Sequence, residues 1–267
     1  MRTSIVLAFE EGVEPLGLSG DLERNLKFLS NLGYDGFELF LLNPSSIRAD
    51  WLNRKRKEYG LEVSAVGTGL LYTRLGLSFS SPDPEVRRKA VERFKEYIEL
   101  SSKLSAPVIV GSVRGRCERR HEGLQHLREC FQECQAHAEE RSTVLLLEPM
   151  NRYETNLINT VEQALDFIRD LKGCKLLADT FHMNIEEVSL TQALLKAGEK
   201  LHHLHLADSN RLAPGRGHLS FQEIFSTLRS MKFGGFVSAE ILPWPDPQTA
   251  AIETIHFLQN EKAARGT

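Results

Sequence analysis

The sequence predicts an α/β chain folded as a single (β/α)8 barrel, the TIM-barrel architecture, over residues 1–267. Three observations carry this. Short β-branched or leucine-rich runs alternate eight times with longer segments of helical period, the signature of parallel βα units. The repeat of roughly 30 residues suits one strand and one helix of such a barrel. Four consecutive runs of the second half end on Glu148, Asp179, His205 and Glu240, at the strand end where barrels place their chemistry. A doubly wound open sheet would also alternate, but no GxGxxG or phosphate-binding glycine loop follows the first run.

The first strand is expected at Ile5 to Phe9, stopped by Glu10 and Glu11. Asp21 stands as N-cap before Leu22-Glu-Arg-Asn-Leu-Lys-Phe-Leu, and Gly33 where that helix turns back. Strands two and three follow at Gly36 to Phe40 and Glu62 to Thr68, with Gly60 closing the helix between them. The loop Gly69 to Pro84 carries Leu70, Leu71, Tyr72, Leu75 and Phe79, so it reads either as a lid or as a surface packed on a neighbouring subunit. Ser81-Pro-Asp-Pro opens a charged helix from Glu85 to Leu100, before strand four at Pro107 to Ser112. Strand five is expected at Thr143 to Pro149, strand six at Cys174 to Thr180 after Gly173, and strand seven at Leu201 to Asp208. Ser220 precedes a helix at Phe221 to Leu228, and Phe236 to Leu242 completes the eight.

Composition narrows the function. With 41% hydrophobic and 26% charged residues the chain can bury one large core. A net charge of −3 and a pI near 6.3 give no general attraction to nucleic acid or anionic membrane. No stretch approaches membrane-spanning length, and Ile5 to Phe9 is too short for a signal-peptide core. Cys117, Cys130, Cys134 and Cys174 form no CxxC pair, which fits a reduced, cytoplasmic protein.

Side-chain parity turns the four strand ends into a candidate site. Successive strand residues point to opposite faces, so Glu148 shares a face with Leu146 and Val144, and Glu240 with Ser238 and Phe236. Asp179 shares a face with Leu177, and His205 with His203, leaving Leu204 and Leu206 against outer helices. A buried carboxylate costs several kcal/mol unless it is paired or ligates a metal. Three carboxylates and one imidazole suit a divalent ion such as Mn²⁺, Mg²⁺ or Co²⁺.

Around these positions the spacing becomes specific. The stretches Glu148-Pro-Met-Asn-Arg-Tyr-Glu154 with Asn156 to Thr160, Asp179-Thr-Phe-His182-Met-Asn-Ile-Glu-Glu187, and His203-Leu-His205-Leu-Ala-Asp-Ser-Asn-Arg211 with Pro214-Gly-Arg-Gly-His218 closely resemble the ketose 3-epimerases. That group, with the D-tagatose and D-psicose 3-epimerases, lies in the xylose-isomerase-like TIM-barrel superfamily. The resemblance runs from about Thr143 to Leu242, more loosely through Tyr34 to Leu39 and Ser81 to Val91. It implies that Glu148, Asp179, His205 and Glu240 ligate one divalent metal, Mn²⁺ foremost, and that Glu148 and Glu240 are also the catalytic carboxylates. It implies substrate contacts from Glu154, His182 and Arg211, a small-molecule sugar as substrate, and a homodimer or homotetramer. His182 also reads plainly as a turn residue at a helix start.

The chemistry fits these residue types. Removing a proton next to a carbonyl leaves an enediolate, whose charge needs a Lewis acid and whose proton needs a carboxylate base. A second carboxylate returning a proton to the opposite face gives epimerisation, which the resemblance places at carbon 3 of a ketose. Return to the neighbouring carbon gives aldose–ketose isomerisation, so residue types leave both open.

The epimerase pattern has Gly-Glu or a similar pair after the histidine of strand seven, whereas this chain has Ala207-Asp208-Ser209. Substrate identity therefore stays open among ketose epimerases, sugar-phosphate epimerases, hydroxypyruvate-type isomerases and inosose dehydratases. Arg114, Arg116, Arg119 and Arg120 crowd the loop after strand four, either as a phosphate site or as a solvated helix start with Glu118 and Glu122. Glu38 lands inward on strand two, to touch substrate or to pair with a barrel arginine, and His203 reads as a core or metal-supporting histidine. An apurinic endonuclease-like nuclease would need further histidines on strands three and four, where Val63-Ser-Ala-Val-Gly and Val108-Ile-Val-Gly-Ser supply none.

Overall fold

Strand parity and closure explain the architecture of this computed structural model, which describes residues 1–263. Among the described residues eight parallel strands close in chain order: β1 (Arg2–Leu7), β2 (Gly36–Phe40), β3 (Glu62–Gly67), β4 (Val108–Val110), β5 (Leu145–Leu147), β6 (Lys175–Asp179), β7 (Leu201–Leu206) and β8 (Phe236–Ala239). Around them lie α1 (Leu22–Leu32), α2 (Ala49–Glu58), α3 (Leu70–Thr73), α4 (Pro84–Leu104), α5 (Arg120–Glu140), α6 (Val161–Ile168), α7 (Thr180–Glu186), α8 (Leu190–Ala197), α9 (Phe221–Ser230) and α10 (Pro247–Ala263). No helix among the described residues is long and apolar enough to cross a membrane.

Outward strand residues such as Leu145, Leu147, Leu204, Leu206, Val237 and Ala239 join the main core under the helices. The lumen divides in two. Ala65, Ile109, Leu146 and Leu177 form a separate apolar cluster, while Glu38, His203 and His205 bring polar groups to the lumen at 1–2% exposure. Register sets their heights: Asp179 and His205 are Cα partners, as are His205 and Ser238. Glu240, two residues beyond Ser238, therefore stands one pleat nearer the mouth.

Strand ends differ from the sequence reading for local reasons. β5 stops at Leu147 although the Glu148 amide still donates to the Val110 carbonyl at 3.3 Å, because Pro149 has no N–H to continue the ladder. β1 begins at Arg2 rather than Ile5 and ends at Leu7; it pairs with β8 from Arg2 onward, and Asp35 accepts from the Thr3 amide and hydroxyl at 2.7 and 2.9 Å. Asp21 caps α1, accepting from the Arg24 amide at 2.7 Å, and Gly33 ends it at φ +82°, where a side chain would be strained. Within Ser81-Pro-Asp-Pro it is Asp83 that caps α4, accepting from the Glu85 amide at 2.8 Å. Ser220 precedes α9 without a side-chain cap.

The long loop after β3 is folded into the body. Leu71 and Phe79 belong to the main core, Leu70 packs with Ala8 and Val13, and Phe79 meets Phe94 edge-on at 5.2 Å. Full burial of Phe79 contributes about 2–3 kcal/mol, enough to hold the segment down. Leu75 remains exposed.

Candidate metal centre and substrate cavity

Glu148 directly follows β5, Asp179 ends β6, His205 lies near the end of β7, and Glu240 directly follows β8. One donor atom from each falls within 4.8 Å of the other three. His205 Nδ1 lies 3.6 Å from Glu148 Oε1, 3.5 Å from Glu240 Oε2 and 4.0 Å from Asp179 Oδ2. His205 Nδ1 and Asp179 Oδ2 are buried and have no hydrogen-bond partner within the protein. Burial, with Glu240 close by, pushes Asp179 well above the usual carboxylate range, and burial raises Glu148 as well. Burial alone would raise Glu240, but the charges of His205 and Arg211 outweigh it and hold that carboxyl well below its ordinary value. Unpaired donors converging on one point, amid crowded negative charge, are what a divalent cation relieves.

Beneath this cluster Glu38 Oε2 sits 2.9 Å from both His203 Nε2 and His205 Nε2. The arginine partner considered for Glu38 is thus replaced by two imidazoles from β7, because parity aims both rings inward. Glu38 also lines the cavity.

At the mouth, Arg211 donates from Nη2 to Glu240 Oε2 at 2.7 Å and from Nη1 to Glu154 Oε1 at 3.1 Å, with its guanidinium 4.8 Å from the Phe181 ring centre. His182 is almost fully buried, its Nε2 3.6 Å from Asp179 Oδ2 and 3.8 Å from Glu148 Oε1. Its tautomer follows from Asn151. The Asn151 Oδ1 accepts from the Tyr153 amide at 2.9 Å, so its Nδ2 must be the group donating to His182 Nδ1 at 2.7 Å and Glu154 Oε1 at 3.0 Å. His182 Nδ1 is then an acceptor, and the proton sits on Nε2, which has no partner and faces the cluster. Burial and the charge of Arg211 press His182 down to about 3, so the ring is neutral.

Three arginines of the run after β4 reach backbone carbonyls. Arg114 is fully buried, donating to the Gly111 and Ile158 carbonyls at 3.0 and 3.1 Å. Arg116 reaches the carbonyls of Arg152 and Tyr153, Arg120 those of Asn156 and Leu157, and Arg119 pairs with Glu122. Three guanidiniums therefore brace the segment that presents Glu154, while Arg114 Nη2 is buried without a hydrogen-bond partner. Asp208, at the position where the sequence departs from the epimerase pattern, accepts from the amides of Ser209, Gly215 and Leu219 at 2.7, 2.9 and 3.1 Å. It holds the turn on which Arg211 adopts φ +63°.

Glu148, Glu154, His182, His205, Arg211 and Glu240 line a cavity of about 180 Å³. Leu16, Phe40, Ile109 and Met150 give it apolar walls, while Gly67, Gly69 and Gly111 keep the side below β3 and β4 open. Every residue singled out as ligand or substrate contact reaches this cluster. The sequence reading missed Asn151, Leu16 and Phe40. Asn151 lay inside a quoted stretch, but spacing does not reveal which loop residue turns inward.

The family described as xylose isomerase-like TIM barrel matches residues 26–261. The D-psicose 3-epimerase of Enterocloster bolteae is 30% identical, over 82% of this chain and 81% of that protein. The 3-dehydro-D-guloside 4-epimerase of Escherichia coli is 40% identical over a shorter stretch, 44% of this chain and 46% of that protein. A solved L-ribulose 3-epimerase superposes with a TM-score of 0.85 at 26% identity, covering 99% of this chain and 96% of that one.

Proposed function

The chain belongs to the xylose isomerase-like TIM-barrel family, and from that membership we propose a divalent-metal-dependent ketose 3-epimerase working through an enediolate, with Glu148 and Glu240 as acid and base. The observation that carries this is the convergence of Glu148, Asp179, His205 and Glu240 within 4.8 Å, with two of their donor atoms buried and unpaired. Three carboxylates with one imidazole suit Mn²⁺, Mg²⁺ or Co²⁺, and Mn²⁺ is the ion proposed first. When bound, such an ion supplies Lewis-acid stabilisation for the oxygens of the enediolate.

The protein's own groups do the rest. Glu148 and Glu240 approach from β5 and β8, so one takes the proton from the carbon beside the ketone and the other returns one to the opposite face. Which acts first depends on which epimer enters. His182 offers Nε2–H to a substrate oxygen, while Arg211 and Glu154 hold hydroxyls at the mouth. The apolar walls limit water around the exposed carbanion.

A second reading has a specific basis. The 4-epimerase match is the more identical one over its shorter stretch, and the same two carboxylates would invert carbon 4 if the ketone stood at carbon 3. The commitment of Arg114, Arg116 and Arg120 to backbone carbonyls weighs against a sugar phosphate. Gly67, Ile109 and Gly111 on the cavity side of β3 and β4 give a multi-metal nuclease no further imidazole. We further propose a single domain, a cytoplasmic setting in keeping with four free cysteines, and a homodimer or homotetramer, to which Tyr153, Leu242 and Trp244 offer exposed apolar surface.

The test is incubation of the Mn²⁺-loaded protein with free ketoses, ketose phosphates and 3-keto glycosides in deuterium oxide, followed by NMR. A new epimer at carbon 3 supports the first reading and one at carbon 4 the second. An aldose product moves the assignment to isomerase.

A further inference from the structure

We propose that Glu38, braced by His203, is the positioning residue that sets the tautomer and ring angle of His205, and so governs how tightly the site holds its divalent cation. This rests on the reading of Glu148, Asp179, His205 and Glu240 as the metal shell.

Both imidazoles meet the same atom, Glu38 Oε2, through Nε2 at 2.9 Å, and all three side chains are 1–2% exposed. One carboxylate oxygen that meets two imidazole nitrogens at 2.9 Å is the acceptor for both, so each Nε2 carries a hydrogen. With its proton on Nε2, a neutral His205 has its lone pair on Nδ1. That atom faces Glu148, Glu240 and Asp179 at 3.5 to 4.0 Å and has no other partner.

His203 supplies what one contact cannot. A carboxylate held by a single donor can swing, whereas a second donor fixes Oε2 in place. The His203 ring also stands edge-on to His205, with centroids 5.4 Å apart and planes at 79°, limiting rotation of the ligand ring. On the other side of the lumen Ala65, Ile109, Leu146 and Leu177 have only apolar side chains and offer His205 no alternative acceptor.

Glutamine at position 38 would reverse the selection. Its amide nitrogen donates, so one arrangement makes His205 Nε2 the acceptor and places the ring proton on Nδ1, against the metal. The experiment measures Mn²⁺ affinity by calorimetry and electron paramagnetic resonance on the full chain, as wild type, Glu38→Gln, Glu38→Asp and His203→Leu, with metal-free melting as the folding control. ¹⁵N spectra of histidine-labelled, metal-free protein report the His205 tautomer. The wild type is expected to bind one Mn²⁺ with His205 protonated on Nε2, and Glu38→Gln to bind about 10–100-fold more weakly with that tautomer lost. Glu38→Asp, which keeps the charge at shorter reach, and His203→Leu are expected to lose less, in the same direction. They carry the test if Glu38→Gln does not fold. Folded variants within about twofold of wild-type affinity, with an unchanged tautomer, overturn the inference alone. A wild type that takes up no Mn²⁺ overturns the metal shell and this inference together.

Discussion

Replacing Gly111 by alanine is a sharp perturbation of the proposed chemistry, because it touches Glu148 without removing it. Gly111 follows β4 at the edge of the cavity. A Cβ built there falls 2.5 Å from Glu148 Oε2, where contacts under 3.0 Å are essentially never seen. The carboxylate must therefore retreat by at least half an ångström. It is the far end of a flexible side chain, so the fold should absorb the change with a melting shift within about 3 °C. Catalysis should not, since a misplacement approaching 1 Å lowers rates by about 100-fold, or about 2.7 kcal/mol in the barrier. The assay is turnover of the best ketose at saturating Mn²⁺, with melting in parallel. A kcat within about threefold of wild type in a folded Gly111→Ala protein would refute Glu148 as a reacting group held at that position.

Further outcomes follow from the same geometry. Asn151→Leu removes the donor that keeps the His182 proton on Nε2, and should lower kcat/KM by about tenfold, about 1.4 kcal/mol; unchanged kinetics would exclude His182 Nε2–H as a substrate donor. Arg114→Met leaves the Gly111 and Ile158 carbonyls without their buried donor and should destabilise by about 2–6 kcal/mol in urea titrations, whereas a loss of ketose-phosphate binding with normal stability would favour the anion reading. Burial pushes the Cys130 thiol up to about 11 and Cys174 to about 12, and raises Cys134 well above its ordinary value. Raised values mean little thiolate at pH 8, so native protein should show one reactive thiol at most, the half-buried Cys117, labelling faster as pH rises; two or more fast thiols would contradict these burials.

The candidate site was legible where backbone periodicity controls it. Parity alone put Glu148, Asp179, His205 and Glu240 on the lumen side, and the structure keeps each there because Leu147, Ala178, Leu206 and Ala239 beside them face the outer core. Strand ends were less legible, as β5 shows: Pro149 interrupts the ladder although the apolar run continues to it. The contacts of the arginine run were not legible because charge spacing says nothing about carbonyls some 40 residues away, and Arg114 and Arg120 bond those of Ile158 and Leu157. Asn151 was missed for a related reason, since its role depends on which amide atom the Tyr153 backbone claims. Glu38 was placed correctly on the inner face, but its histidine partners lie across the barrel, 165 and 167 residues later.

The most direct test of the two-carboxylate account is deuterium incorporation from solvent at the carbon beside the ketone, for the Mn²⁺-loaded wild type, Glu148→Gln and Glu240→Gln, each with its metal content determined. The account predicts label in the wild-type product and no epimer from either metal-loaded variant. Epimerisation at the wild-type rate in both variants would contradict it.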